Sequence, residues 1–315
     1  MQQLPPPRIA AVHDLSCVGR CALTVIIPTL SVMGYQTVPV PTALLSSHTG
    51  GFSDLYFRDL TADMPFIADH FERLELSFRS IYIGFLGSEE QIETVQSFIQ
   101  RFGHRPDESG ELPVVLVDPV MGDDGVLYST YTPALVEGIC RLSQCAQILT
   151  PNLTEACLLL HEPYVDTATL SVEQAKIYAD GLLERMCEVY PADRIVITGI
   201  SLQNGAVANA GCERKNASFW IERSHCGTSY PGTGDIFASV LLGTVLSGAD
   251  FASACARAAD FVGELISDSA QIATPTRMGV ALESHLWKLT PGHEIKKEMR
   301  YQECQTVVLP ESSEK

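Results

Sequence analysis

The sequence is short of basic charge. Lys and Arg total 21 against 38 Asp and Glu in 315 residues, a formal net charge of −17. Nucleic-acid backbones and anionic bilayers both demand a basic face, which argues against sequence-independent nucleic-acid binding and membrane attachment. Anionic small molecules stay open as ligands, because a few local donors outweigh a distant negative field. Long apolar runs are also missing. Residues 21–33 and 238–245 are too short to span a bilayer, and Pro28 interrupts the first. Residues 1–7 carry three prolines and no basic stretch leading into an apolar one, so no secretory leader is read. Of the ten cysteines, Cys17 and Cys21 form a C-x3-C with no second pair, which argues against zinc. Scattered thiols of this kind read as small buried side chains kept reduced in the cytoplasm. There is no G-x-x-x-x-G-K-[ST], and no G-x-G-x-x-G follows the first strand, which argues against a P-loop enzyme and a dinucleotide dehydrogenase.

What is present is enough apolar matter for a large core: 46% hydrophobic residues against 19% charged. Segments 8–13, 36–41, 80–84, 112–118, 147–150 and 194–198 read as short buried strands. Between and after them, 19–33 (kinked or started near Pro28), 61–76, 88–102, 152–161, 171–188, 232–246 and 251–267 carry helical spacing, with 88–102 opening on a Ser-x-x-Gln capping box. Residues 204–223 alternate like a hairpin. Strand–helix alternation predicts an α/β fold with a mostly parallel central sheet and helices on both faces. One domain is expected over 8–295, between a short tail at 1–7 and a polar tail at 296–315 whose apolar patch is Val307-Val308-Leu309. Such sheets bind ligands beyond the carboxyl ends of their strands, where His13, Asp118, Thr150 and Thr198 fall.

The strongest chemical signal is Pro231-Gly232-Thr233-Gly234-Asp235, opening an apolar helix. Glycines let the backbone approach a ligand, the helix head offers unpaired N–H groups to an anion, and a carboxylate there can take a proton from a hydroxyl. The plainer reading of Asp235 is an acid that favours the helix dipole. Asp118-Pro119-Val120-Met121-Gly122-Asp123-Asp124-Gly125 puts an acid at a strand end before a Gly/Asp loop, which suits Mg²⁺ beside phosphates or a simple turn. In Thr150-Pro151-Asn152-Leu153-Thr154-Glu155, Asn152 and Glu155 either form a capping box or face the same phosphates. Thr198, in Val196-Ile197-Thr198-Gly199, offers a hydroxyl at a strand end. His13-Asp14-Leu15-Ser16 and Ser46-Ser47-His48-Thr49-Gly50 each place a histidine among small hydroxyls, where a structural histidine is the commoner case.

Together these segments resemble the ribokinase-like superfamily, and within it the vitamin B6 kinase branch. The resemblance rests on D-P-V-M-G-D at 118–123, T-P-N-x-x-E at 150–155 and G-T-G-D at 232–235. S-x-H-T-G at 46–50 and F-L-G-S at 85–88 add to it, and it runs in order from about residue 8 to 289. It implies a three-layer α/β/α fold and ATP-dependent phosphorylation of the 5′-hydroxymethyl of pyridoxal, pyridoxamine or pyridoxine. It implies Asp235 as the base, with Gly232, Thr233 and Gly234 as the anion hole. Asp118, Thr150, Asn152, Glu155 and Thr198 would serve ATP, with Asp118 and Glu155 holding Mg²⁺ directly or through water. Ser16, His48, Thr49 and Phe85 would hold the pyridine ring. Cytoplasmic homodimers with no nucleic-acid or membrane partner are implied as well. Two departures stand out. The 13–16 segment is shorter than in pyridoxal kinases and resembles the hydroxymethylpyrimidine kinases of thiamine synthesis, and Phe85 stands where a tyrosine is common. Hydroxymethylpyrimidine phosphorylation is therefore the alternative, and an ATP-dependent dehydratase on the same fold a more distant one.

Overall fold

The computed structural model describes residues 5–214 and 216–292, so the expected 296–315 tail with its apolar patch lies outside the described residues. The chain runs β1 (Arg8–Ser16), α1 (Leu23–Val32), β2 (Gln36–Leu45), β3 (Phe57–Asp59), α2 (Met64–Arg73), β4 (Ser80–Ile83) and α3 (Glu89–Phe102). It continues through β5 (Val114–Val117), β6 (Gly122–Asp123), β7 (Val126–Leu127), α4 (Pro133–Ser143), β8 (Ile148–Leu149), α5 (Leu153–Leu159) and α6 (Val172–Val189). It closes with β9 (Arg194–Ser201), β10 (Ala206–Glu213), β11 (Phe219–Ser224), α7 (Thr233–Leu246) and α8 (Phe251–Gln271). Nine strands form one sheet in the order β11-β10-β9-β8-β5-β4-β1-β2-β3, while β6 and β7 make a separate small hairpin. Every pairing from β9 across to β2 is parallel; β3, β10 and β11 join antiparallel at the two edges.

Burial on both faces explains the unbroken apolar strands. In β1, Ala10 and Val12 enter one core and Ile9 and Ala11 the other, following the two-residue period of a strand. The first core is closed by α2 to α6, through residues such as Met64, Val95, Ile139, Ala156 and Leu182. The second is closed by α1, α7 and α8, through Leu23, Ile26, Val240, Leu241 and Phe261. The result is the expected three-layer α/β/α arrangement. No helix among the described residues is long and apolar enough to cross a membrane.

Several local readings are corrected. The 19–33 helix begins only at Leu23, and it carries Pro28 inside it, where the ring costs one backbone bond, rather than starting there. β1 and β2 run three and four residues longer than the 8–13 and 36–41 readings, because strands on either side supply partners as far as Ser16 and Leu45. The Ser88 capping box does not form. The buried Gln91 instead accepts from the Gly87 N–H (2.8 Å) and donates to the Thr42 carbonyl (2.8 Å), tying α3 to β2. Helix α4 was not read at all, although Thr132 caps it through the Leu135 N–H (3.1 Å) and Pro133 opens it.

Phe78 is fully buried and packs on Phe71, Phe98 and Phe102, with centroids 5.4–6.2 Å apart. Phe78→Ala lowers unfolding free energy by about 3–5 kcal/mol in urea titration. A loss below about 1 kcal/mol would mean that α2 and α3 collapse to fill the space.

Candidate active site

The sheet order decides which residues meet. Passing from β9 through β8, β5, β4 and β1 to β2, Thr150, Asp118, Phe85 and His48 follow the carboxyl ends and Ser16 closes β1. Thr198 and His13, expected at strand ends, lie inside β9 and β1, because pairing with β10 and β2 carries those strands on to Ser201 and Ser16. The chain reverses its direction of travel between β1 and β4, the switch point at which open α/β sheets leave a crevice. A cleft of about 550 Å³ lies to one side of that point, beyond β5, β8 and β9, lined by Asp118, Thr150, Asn152, Glu155, Thr198 and the Gly232–Asp235 turn. Ser16, His48, Thr49 and Phe85 are not among its lining residues.

The first turn of α5 builds the neighbouring loop. Asn152 Oδ1 accepts from the Glu155 N–H (2.9 Å) and Glu155 Oε2 from the Asn152 N–H (2.8 Å), a complete capping box. The same side chains reach across the cleft floor. Glu155 Oε1 accepts from the Met121 N–H (3.1 Å), Asn152 Nδ2 donates to the Gly122 carbonyl (2.8 Å), and Thr154 Oγ1 accepts from the Gly125 N–H (2.9 Å). The T-P-N-x-T-E segment thus folds the D-P-V-M-G-D-D-G loop, and both readings of Asn152 and Glu155 draw on one geometry.

Burial leaves this floor electrostatically tense. Desolvation, followed by the Asp235 charge, pushes the Asp118 carboxyl up to about 7 against the opposing pull of His13. Desolvation and the Asp118 charge hold Glu155 well above the carboxylate range. Thr150 Oγ1, Tyr82 OH and His13 Nε2 are buried without a well-aligned hydrogen bond, three of only six such side-chain atoms among the described residues, although the Asp118 carboxylate neighbours the two hydroxyls and Asp235 neighbours the ring. Poorly paired buried polar atoms mark places that a ligand or ion completes.

Asp235 stands on the third residue of α7. Gly232 caps the helix in the left-handed region (φ 81°), and a Cβ there would run into the Arg20 carbonyl. The amides of Thr233, Gly234 and Asp235 head the helix with no carbonyl four residues back inside it. A Cβ on Gly234 would meet no protein atom, so that glycine leaves open space above the amides. Asp235 Oδ2 accepts from the Ala22 N–H (2.7 Å), and Ala22 holds a positive φ of 53° to present it. Oδ1 lies 3.0 Å from His13 Nε2. His13 is the residue that sequence reasoning passed over as structural. Its expected strand-end position was the available signal, but only the packing of α7 against β1 shows its partner.

The ring-binding candidates sit apart from this floor. Ser16 is fully buried, and its hydroxyl donates to Asp14 Oδ2 (2.8 Å). His48 Nδ1 accepts from the Gly50 N–H (3.1 Å) while Nε2 reaches the Arg277 carbonyl (2.6 Å), which occupies both ring nitrogens and ties its own loop to the 277 segment. A Cβ at Gly19 would strike that ring. Thr49 is exposed, and Phe85 is half-buried edge-on to Tyr131 (6.2 Å). Asp123, Asp124, Tyr128, Arg223 and His225 also line the cleft, and none of them was singled out from the sequence as a site residue.

A sequence model of the phosphomethylpyrimidine kinase family matches residues 15–278, spanning every one of these segments except the His13-Asp14 pair. The chain belongs to the phosphomethylpyrimidine kinase family. It is 27% identical over 296 residues to a pyridoxine/pyridoxal/pyridoxamine kinase from Bordetella avium, covering 89% of this chain and 93% of that one. A phosphomethylpyrimidine kinase homologue from Bacteroides thetaiotaomicron superposes with a TM-score of 0.83 at 35% identity, over 96% and 97% of the two chains. A second crystal form of that homologue contains pyridoxal (TM-score 0.79, 34% identity, 90% and 95% coverage). Pyridoxal kinase from Lactobacillus plantarum superposes at 0.78 with 29% identity, over 90% and 96%. This member of the phosphomethylpyrimidine kinase family is therefore a kinase of the phosphomethylpyrimidine/pyridoxal kinase type with the ribokinase-like fold.

The buried ions of this kinase give it a pH signature. Burial opposes a charge on His13, yet the Asp235 carboxylate, and Asp14 beside it, raise its pKa to about 10 from 6.5. A histidine raised on folding stabilises fully below its unfolded pKa and loses that contribution as pH climbs toward the folded value. Asp118, raised from 3.8 to about 7, acts in the same direction but at lower pH, its contribution being spent by about pH 7, so the fall above that is due to His13. The melting temperature of the ligand-free protein therefore falls between about pH 6.5 and 8.5, below the range of ordinary thiols. A melting temperature flat across that window would mean that His13 is neutral.

Proposed function

We propose that the protein transfers the γ-phosphoryl group of ATP to the 5′-hydroxymethyl of pyridoxal, pyridoxamine or pyridoxine in the cytoplasm, as a homodimer. The observation that carries this is the position of Asp235, at the head of a helix whose amides face open space, across one cleft from two buried acids. The pyridoxal held by the Bacteroides homologue and the activity named for the Bordetella relative support a B6 vitamer as acceptor.

Asp235 takes the hydroxymethyl proton as the oxygen attacks phosphorus, and the bond to the departing ADP breaks in the same displacement. The Gly232, Thr233 and Gly234 amides with the helix dipole bind the transferring group's negative charge. Asp118, Glu155 and the Thr150 hydroxyl are an oxygen-only donor set that fits Mg²⁺, Glu155 through water because Met121 and Asn152 already engage both its oxygens. Bound there, Mg²⁺ supplies charge neutralisation to the phosphates. Thr198 and Asn152 border the nucleotide half of the cleft. Ser16, His48, Thr49 and Phe85 are assigned to the ring half, where His48 acts by shaping the loop, since both its nitrogens are engaged.

A second reading, phosphorylation of hydroxymethylpyrimidine, is favoured by the short His13–Ser16 strand end and by the family description itself. Both substrates present a ring hydroxymethyl to the same base, so a turnover panel with pyridoxal, pyridoxamine, pyridoxine and hydroxymethylpyrimidine separates them. Asp235→Asn keeps the shape and removes the base: kcat falls by about 10²–10⁴-fold while vitamer binding persists. If Asp235 only favours the helix dipole, the same change costs about 1 kcal/mol of stability or less and leaves turnover within about threefold.

A further inference from the structure

We infer that His13 is a positioning residue for the base: wedged between Asp14 and Asp235, it fixes the Asp235 carboxylate in place and faces it with positive charge. This inference rests on the phosphotransfer reading above and adds a residue to it.

Four observations support it. His13 Nδ1 lies 2.9 Å from Asp14 Oδ1 and also 2.9 Å from the Asp14 backbone nitrogen, so a protonated Nδ1 pairs with the carboxylate and a bare one accepts from the amide; Nε2 lies 3.0 Å from Asp235 Oδ1. The Ser16 hydroxyl secures the other Asp14 oxygen, and the Ala22 N–H secures the other Asp235 oxygen. The line Ser16–Asp14–His13–Asp235 is thus anchored at both ends. A Cβ at Gly84, which follows β4, would run into the imidazole, so the ring's place depends on a glycine in the neighbouring strand end. Finally, Nε2 is buried against Asp235, whose charge is the largest of the influences raising the His13 pKa, with a hydrogen-bonding contribution from Asp14 and Asp235 beside it.

Charge is what the surroundings require. The groups facing His13 are Asp14 on its own strand, Asp235 from α7, Asp118 from the end of β5, Tyr82 from β4 and, beside Asp235, the Cys21 thiol. Three are acids in a dry setting, where two unneutralised carboxylates favour sharing a proton. A protonated Asp235 could not act as the base. An imidazolium between them offsets the repulsion among these carboxylates. During transfer the substrate O–H bond breaks and its proton goes to Asp235, while the new O–P bond replaces the one to ADP. His13 holds its own proton throughout. The rise of His13 to about 10 agrees with this picture.

The test is His13→Gln, which keeps a donor of similar length and removes the cation. Its kcat with the best vitamer falls by about 10–100-fold at neutral pH, the scale of a displaced catalytic group, with KM for ATP within about threefold. The loss shrinks toward alkaline pH, because the acid limb of the kcat profile moves up by about one pH unit or more once the base loses its cation. A purely structural role predicts a loss that is uniform across pH, and that result, or kcat within about threefold of the parent, overturns the inference. The parent itself supplies the check if His13→Gln does not fold. Its side-chain ¹⁵N spectrum shows His13 as imidazolium at about pH 8, where an ordinary histidine is neutral, and a neutral ring there overturns the inference equally. A parent inactive with ATP and every ring alcohol sinks the phosphotransfer reading. An active parent with an unshifted His13→Gln profile sinks the His13 role alone.

Discussion

Burying several carboxylates beside one imidazole is the constraint on which the rest of the structure turns. Asp14, Asp118 and Glu155 are at most 7% exposed, and the Asp235 side chain 12%. Such a group of acids is unfavourable without compensation, since desolvation and mutual repulsion both oppose ionisation. The fold answers with directed donors: backbone N–H groups of Ala22, Met121 and Asn152, the Ser16 hydroxyl, and the His13 ring. Each donor comes from a turn or strand end that must keep its shape, which makes the loops at this edge the least free part of the sheet.

The same constraint explains why the site is divided. On the β5–β8–β9 side, the Asn152–Glu155 capping box spends its polar atoms on the 118–125 loop and leaves Asp118 and Thr150 open toward the cleft. On the β1–β2 side, His48 spends its ring nitrogens on joining the 46–50 and 277 segments, and the ring packs against Gly19. Asp235 stands between the halves, carried by α7 and touching β1. Phosphoryl transfer asks for that arrangement: an acceptor on one side, a charged chain on the other and a proton acceptor at the seam.

Most of the fold was legible along the chain. Parallel strands buried on both faces are continuous apolar runs, and helices between them show their period, so β4, β5, β8, β9 and α3 to α8 (α4 excepted) were read within a few residues. Helix α4 was overlooked although a Thr-Pro start announced it. The Ser88 box was read and is absent, because Gln91 found a better partner in β2 than in its own helix end. Strand ends at β1 and β2 ran long because pairing partners extend them, and partners are not a local property.

The sequence by itself determined the apolar periods, the capping chemistry at Asn152 and the glycine-flanked acid at 232–235, because these depend on bonds between residues close along the chain. It also carried the family likeness, since those segments occur in order. What only the tertiary structure decided was who meets whom across the strand ends. His13 and Asp235 are 222 positions apart along the chain, yet Nε2 and Oδ1 are in contact at 3.0 Å, and Gly84 makes room for the ring. Contacts of that kind arise from sheet order and helix packing, where distance along the chain places no limit on distance in space.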